Sequence, residues 1–258
     1  MPFLHRHKLE VISLSQTDLD KLNAQLMEGG SRGKLSRESV RSYLRHINVF
    51  LKWAERYGGT PTRAQMPSKP RHEVEVLTRE EIEQMEAAVP SERDKLIIRL
   101  AADTGMRLGE LVGIRVDDLR TDGREAHVRV RGKTGERFVP ISRKMEKRLR
   151  LYLGPRRGVL AEQVFLSLRK RAGGYEALTA AGAYQAIKSA AWRAGIEKRV
   201  YPHLLRHSYL TTAVSRGMNA VLLSEVAGVS LSVIAASYSH PSLKDKHGAA
   251  MKIWEDED

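Results

Sequence analysis

The chain has 258 residues, enough for one large or two modest domains, each with its own core. Lysine and arginine number 44 against 31 aspartates and glutamates, and this net charge of +13 favours a polyanionic partner, nucleic acid ahead of an anionic membrane surface. Zero cysteines exclude disulfides, thiol catalysis and cysteine-ligated zinc, and the scattered histidines include no H-E-x-x-H pair, so neither a metal nor another cofactor is expected.

At the N-terminus, M-P-F-L-H-R-H-K has no signal-peptide core, and no later run approaches the roughly 18–20 apolar residues of a membrane span. A cytoplasmic protein with no membrane partner is expected. The first two helices are predicted over Gln16–Glu28 and Ser36–Tyr57, separated by G-G-S-R-G-K. In the second, Val40, Tyr43, Leu44, Ile47, Phe50, Leu51 and Ala54 share one broad apolar face. Arg37, Arg41, Arg45, Lys52 and Arg56 fall within an arc of roughly 100° beside it, a candidate phosphate-binding face. The stretch over 58–76 carries glycines, prolines and mixed charge, and reads as a linker. The expected division is a helical domain over 1–66, a linker over 67–76 and a second domain over 77–258.

After the linker, Thr78 is a good N-cap and Glu81 completes a capping box for the next helix. Another helix is expected at about Arg93–Asp103, running into T-G-M-R-L-G-E-L-V-G-I. The residues A-H-V-R-V-R-G-K-T-G-E-R-F-V-P-I alternate on both sides of G-K-T-G, predicting a β-hairpin with Lys133 in or beside its turn. Helices follow at about Arg143–Leu153 and Ala180–Ala194. Pro202 suits the first turn of a helix carrying His203 and Arg206, and shorter helices are expected over Asn219–Ala227 and Ser232–Tyr238. The fold class is therefore mainly α with a small antiparallel β-sheet, in two domains.

His203 and Arg206 stand three apart, the spacing that puts two side chains on one helical face, where they could converge on a small anion. In so basic a chain a phosphodiester is the obvious candidate. Tyr238 adds a hydroxyl nucleophile 32 residues after Arg206. On the residues alone, Arg107 is a surface arginine at a helix turn, Lys133 a solvated turn lysine and His203 a cap or core residue. Tyr209 belongs in the core, and His207 reads as a structural neighbour.

Taken in order, T-G-M-R-L-G-E-L around Arg107, R-G-K-T-G around Lys133, H-L-L-R-H-S over 203–208 and the terminal Tyr238 resemble the tyrosine recombinase (phage integrase) family. The match covers roughly residues 76–240, and more weakly the helical N-terminal part. The resemblance implies a helical core-binding domain ahead of an α+β catalytic domain, and a site built from Arg107, Lys133, His203, Arg206 and Tyr238. Arginine suits a scissile phosphate because its planar fork bonds two oxygens and stays charged. Arg107 and Arg206 would hold the non-bridging oxygens and stabilise the pentacoordinate transition state without a metal. By the same resemblance, Lys133 is the general acid for the leaving 5′ oxygen, and His203 accepts the tyrosine proton or bonds the phosphate. Attack by Tyr238 gives a 3′-phosphotyrosine and a free 5′-hydroxyl, so rejoining needs no ATP. Glu110 either orients a partner in the site or makes a simple i,i+3 ion pair.

One position departs from the family pattern. Where a histidine or tryptophan usually stands about ten residues before the tyrosine, this chain has Val229 in A-G-V-S. Valine cannot donate to a phosphate; His240 is a speculative substitute. The resemblance further implies double-stranded DNA as substrate, a homotetramer assembled on it and exchange through a Holliday junction. It leaves room for an accessory DNA-bending or directionality protein. The tail over 242–258 combines an apolar patch with an acidic end, and would dock on a neighbouring protomer or on its own domain. Two other readings use the same residues: a sequence-specific DNA-binding protein that has lost the chemistry, and a DNA-relaxing enzyme like topoisomerase IB.

Overall fold

The computed structural model describes residues 14–29, 33–59, 61–68, 75–122, 125–132, 135–156, 162–171 and 174–238. The chain divides into two compact units, Met1–Val74 and Glu75–Asp258. Among the described residues, no helix is long and apolar enough to cross a membrane.

In the first unit, α1 (Gln16–Glu28) and α2 (Arg37–Glu55) begin at Ser15 and Ser36, whose side chains accept amide hydrogen bonds from Asp18 and Ser39. They pack through Leu19, Val40, Leu44 and Leu51, which are all buried with Leu14 and Ala64. Tyr43 departs from the expected apolar face: it is 54% exposed. Two helices and a strap cannot cover so broad an arc, and Tyr43 sits at its edge. The strap is residues 61–68, part of the stretch over 58–76 whose composition reads as a linker. They are non-helical, as their composition requires, but tied down. Asn48 accepts from the Ala64 amide (2.7 Å) and donates to its carbonyl (3.0 Å), while Arg41 donates to the Pro67 carbonyl.

The second unit is built around α4 (Glu92–Thr104). Its Leu96, Ile97, Ile98, Leu100 and Ala101 are all buried, so this helix is apolar on most of its circumference, as a central helix must be. Preceding it is α3 (Arg79–Ala87), and Thr78 and Glu81 form the expected capping box at its start. A short α5 (Leu108–Val112) follows α4. Strands β1 (Leu119–Asp122), β2 (Glu125–Gly132) and β3 (Gly135–Ile141) form an antiparallel sheet in that order. The predicted hairpin is β2–β3, paired from Ala126–Ile141 to Gly132–Gly135. Lys133 and Thr134 lie between those ends and outside the described residues.

Alternation aims Val128, Val130 and Val139 into the core. Asp118, 1% exposed, accepts from Arg129 (3.0 Å) and Arg131 (2.8 Å) on the other face of β2. After α6 (Arg143–Leu153), a second hairpin, β4 (Leu166–Arg171) and β5 (Gly174–Ala177), leads to α7 (Ala180–Arg193). Helix α8 (Pro202–Ser215) starts with Pro202 in its first turn, as predicted, and packs on α4. The chain then forms α9 (Ala220–Ala227) and α10 (Leu231–Tyr238), which meet α8 through the buried Leu210, Leu223, Ala227 and Ile234.

Ser208 of the H-L-L-R-H-S motif is buried and joins α8 to the start of the unit. It accepts from the Leu77 amide and donates to the Leu204 carbonyl, each at 2.8 Å. Ser208→Ala leaves the Leu77 amide buried without its acceptor. The expected loss is about 1–3 kcal/mol, read by urea unfolding of the full chain; unchanged stability would show the bond to be dispensable.

Candidate active site

The turn T-G-M-R joins α4 to α5. Gly105 ends α4 in the left-handed conformation (φ 60°), with its amide bonded to the Ala101 carbonyl at 3.0 Å. No side chain fits there: a Cβ would sit 2.4 Å from Cδ1 of Tyr209, so the Tyr209 ring packs directly over the turn. That contact fits Tyr209's expected place among packing residues. Turning the chain here frees the Gly105 carbonyl, which accepts from Nη1 of Arg206 at 2.7 Å. Arg206 is 6% exposed and reaches this carbonyl from α8. Two residues beyond Gly105, Arg107 is the N-cap of α5. The two arginines, far apart in sequence, are thus built onto one turn.

Arg107 keeps 42% of its side chain exposed. Its amide donates to Oε2 of Glu110 (2.9 Å), and Nη1 donates to Oε1 (3.0 Å). Its Nη2 donates to the Gly228 carbonyl, in the turn between α9 and α10. Glu110 is therefore more than an i,i+3 partner. It is buried, with 4% of its side chain exposed, and a second arginine, Arg137 of β3, forks onto it at 2.9 and 2.8 Å. Burial pushes the Glu110 carboxyl up, but the Arg137 fork and the Arg107 amide and guanidinium outweigh it and hold the group below its ordinary range.

Sequence reasoning missed Arg137. It stands opposite Val130, on the strand face that carries Val128 and Val139 inward. A charge at an inward position of E-R-F-V-P-I was the available signal. Besides Glu110, Arg137 donates from Nε to the Val226 carbonyl at 2.9 Å and from Nη2 to Ala227 at 3.4 Å.

Of the other expected site residues, His203 is exposed near the start of α8, one turn before Arg206. His207 is half-buried, and burial holds its imidazole below the usual value, which favours the neutral ring. Tyr238 is the last residue of α10, one turn beyond the buried Ile234. Val229 packs against the Leu210–Leu223–Ala227–Ile234 cluster, its amide bonded to the Ser224 carbonyl (3.1 Å) and its carbonyl to the Ser224 hydroxyl (2.7 Å). Lys133, His240 and the C-terminal tail lie outside the described residues.

On α2 of the first unit, Arg37, Arg45, Lys52 and Arg56 are exposed, whereas Arg41 is half-buried and holds Pro67. No group of three or more His, Asp or Glu among the described residues could hold a metal ion. A cavity of about 580 Å³ opens between α3, α4, α6 and α8; none of Arg107, His203 or Arg206 lines it. Within the arginine turn, Gly105, Met106 and Arg206 are buried and Arg107 is half-exposed.

The phage integrase family model matches residues 75–244. Among curated proteins, the chain is 30% identical over 214 residues to tyrosine recombinase XerA of Saccharolobus solfataricus, covering 83% of this chain and 67% of that protein. It is 36% identical over 143 residues to tyrosine recombinase XerD of Mycobacterium tuberculosis, covering 53% of this chain and 44% of that protein. Among solved structures, the fold is similar to the Tn1549 transposon integrase in complex with transposon right end DNA (TM-score 0.73, 16% identity, 93% of this chain and 85% of that one). It is also similar to the XerH site-specific recombinase bound to its difH substrate (TM-score 0.69, 20% identity, 92% of this chain and 70% of that one).

Glu110 and Asp118 both have carboxyls held below their ordinary values, the latter by Arg131, the Arg115 amide and Arg129 against the opposing push of burial. Each therefore contributes stability above its unfolded pKa, about 4.3 for Glu and 3.9 for Asp, and loses it as pH falls through the lower folded value. Unfolding free energy measured against pH should drop below about pH 4. Glu110→Gln should make that drop shallower and cost about 3 kcal/mol at pH 7, because two arginines lose their buried counter-charge. An acid limb identical to the parent's would refute the assignment.

Proposed function

The chain belongs to the phage integrase family of tyrosine recombinases, and from that premise we propose that it cuts and rejoins double-stranded DNA at specific sites through a covalent 3′-phosphotyrosine. The observation that carries this reading is the arginine turn: Arg206 bonded to the Gly105 carbonyl, and Arg107 two residues on, tied to the turn that leads into the helix ending at Tyr238.

The Tyr238 hydroxyl attacks the scissile phosphorus and its proton passes to His203 or to solvent. The P–O5′ bond breaks, and Lys133 protonates the leaving 5′ oxygen. Arg107 and Arg206 carry the charge that grows on the non-bridging oxygens. Attack by a 5′-hydroxyl from a second duplex reverses these steps and joins the exchanged strand. Two duplexes held by a homotetramer would exchange strands in two rounds through a Holliday junction. The Tn1549 integrase is described in complex with transposon right end DNA and XerH bound to its difH substrate, which supports DNA as the substrate class. We assign unit 1 and its exposed Arg37, Arg45, Lys52 and Arg56 to sequence-independent phosphate contacts, with Arg41 in a supporting role.

A nicked duplex carrying the target site should trap a covalent protein–DNA adduct with the parent chain, and Tyr238→Phe should abolish it without weakening binding. Tight, site-specific binding with no adduct would leave the DNA-binding reading in place of the enzyme. Recombination between two sites separates strand exchange from simple relaxation.

The packing of Val229 in an apolar cluster favours a second reading, a protein that binds its site but cleaves slowly. A preorganised hydrogen-bond donor to a developing oxyanion is worth about 10²–10³ in rate. Val229→His should therefore raise single-turnover cleavage if that donor is what the chain lacks. An unchanged rate would show that the valine is no defect.

A further inference from the structure

Three segments of the second unit that bear on the chemistry meet at one buried ion pair. The first is α5, whose first turn presents Arg107 and whose Glu110 accepts from it. The second is the closed end of the β2–β3 hairpin. Gly132, the residue immediately before Lys133, lies so near the Glu110 carboxylate that a Cβ there would sit 2.7 Å from Oε1. The third is the C-terminal end of α9 and its turn, Val226 to Gly228, which leads into the helix ending at Tyr238.

Arg137 is the side chain common to all three. Its fork takes both oxygens of Glu110, and its remaining donors take the Val226 and Ala227 carbonyls. Helix α9 has no basic residue in its own last turn, so Arg137 supplies the cation that the negative end of that helix attracts. Gly228 sits against it: a Cβ there would meet Cζ of Arg137 at 2.9 Å, at a backbone φ of 61°. With 13% of its side chain exposed, Arg137 has little room to contact DNA itself.

We propose that Arg137 is a positioning residue for strand transfer. It holds Glu110, and through it Arg107 and the hairpin end beside Lys133, in register with the turn that leads to Tyr238. The geometry points to this role because Arg137 bonds both Glu110 and the end of α9 from the hairpin strand itself, whereas Arg107, which also reaches Glu110 and the Gly228 carbonyl, comes from the start of α5 and stays half-exposed. Lysine cannot replace it fully, since a single ammonium cannot fork onto a carboxylate while bonding two carbonyls. The inference rests on the strand-transfer reading above.

The test compares the parent with Arg137→Met and Arg137→Lys in single-turnover adduct formation on nicked duplexes, with DNA affinity and thermal unfolding measured on the same preparations. Displacing reacting groups by about 1 Å costs on the order of 10²-fold in rate. Arg137→Met should slow adduct formation by about that factor while binding DNA as the parent does, and Arg137→Lys should fall between. Two altered substrates then separate positioning from general loss of structure. A scissile methylphosphonate removes the charge that Arg107 must neutralise, and a 5′-bridging sulfur leaves without needing the proton from Lys133. A defect that narrows on either substrate supports the inference. Adduct formation at the parent rate, or a defect equal on all three substrates, overturns it. Should Arg137→Met fail to fold, the same substrate comparison on Arg137→Lys decides. Absence of adduct from the parent itself overturns the strand-transfer reading and this inference with it.

Discussion

A carboxylate with 4% of its surface exposed must be paired, and the second unit of this chain is arranged to pair Glu110. An isolated buried charge is penalised by several kcal/mol, so removing either arginine would leave the carboxylate uncompensated. The pairing draws on parts remote in sequence: Arg107 from the same turn, Arg137 from the facing strand of the hairpin. Both arginines continue past the carboxylate to carbonyls at the end of α9. One buried negative charge thus fixes where a turn, a hairpin and a helix end lie relative to each other. The arginine that remains half-exposed, Arg107, is the one available to a phosphate.

The close approaches in this region depend on three glycines. At Gly105 and Gly228 the backbone is left-handed, and a Cβ would also strike Tyr209 or Arg137. At Gly132 the conformation is ordinary, and the constraint is the Glu110 oxygen alone. Each glycine lets a polar or aromatic group lie directly against the main chain. In the first case that frees a carbonyl for the buried Arg206.

The apolar side of the site has its own logic. Val229 follows a left-handed glycine and turns its side chain onto Leu210, Leu223, Ala227 and Ile234. Among the described residues, helix α10 packs through Ile234 into that small cluster. Small satellite cores hold less buried area, so segments resting on them open at lower cost. Ile234 of the helix ending at Tyr238 rests on such a cluster, while the arginine turn is built on the central helix.

Much of this was legible in the residues. Thr78 and Pro202 mark helix starts, and strict alternation around G-K-T-G marks the hairpin, because capping and periodicity act within one or two turns of chain. The ordered motifs around Arg107, Lys133, Arg206 and Tyr238 identified the family for the same reason, each being a local pattern. Strands β1, β4 and β5 were not expected; L-R-T-D and G-Y-E-A are too short to show a period. Tyr43 follows the apolar rhythm of α2 yet stays exposed, and the proline-containing strap is held by Asn48 and Arg41, side chains with no local sign of that role. Arg137 to Glu110, Arg206 to Gly105 and Arg107 to Gly228 join residues 27, 101 and 121 positions apart. No local preference encodes such pairings. The sequence by itself determined which residues could do the chemistry, since charge and hydroxyl are properties of side chains. Tertiary structure alone decided which arginine is buried, which stays open and which holds the others, because a charge settles where packing brings its counter-charge within hydrogen-bond reach.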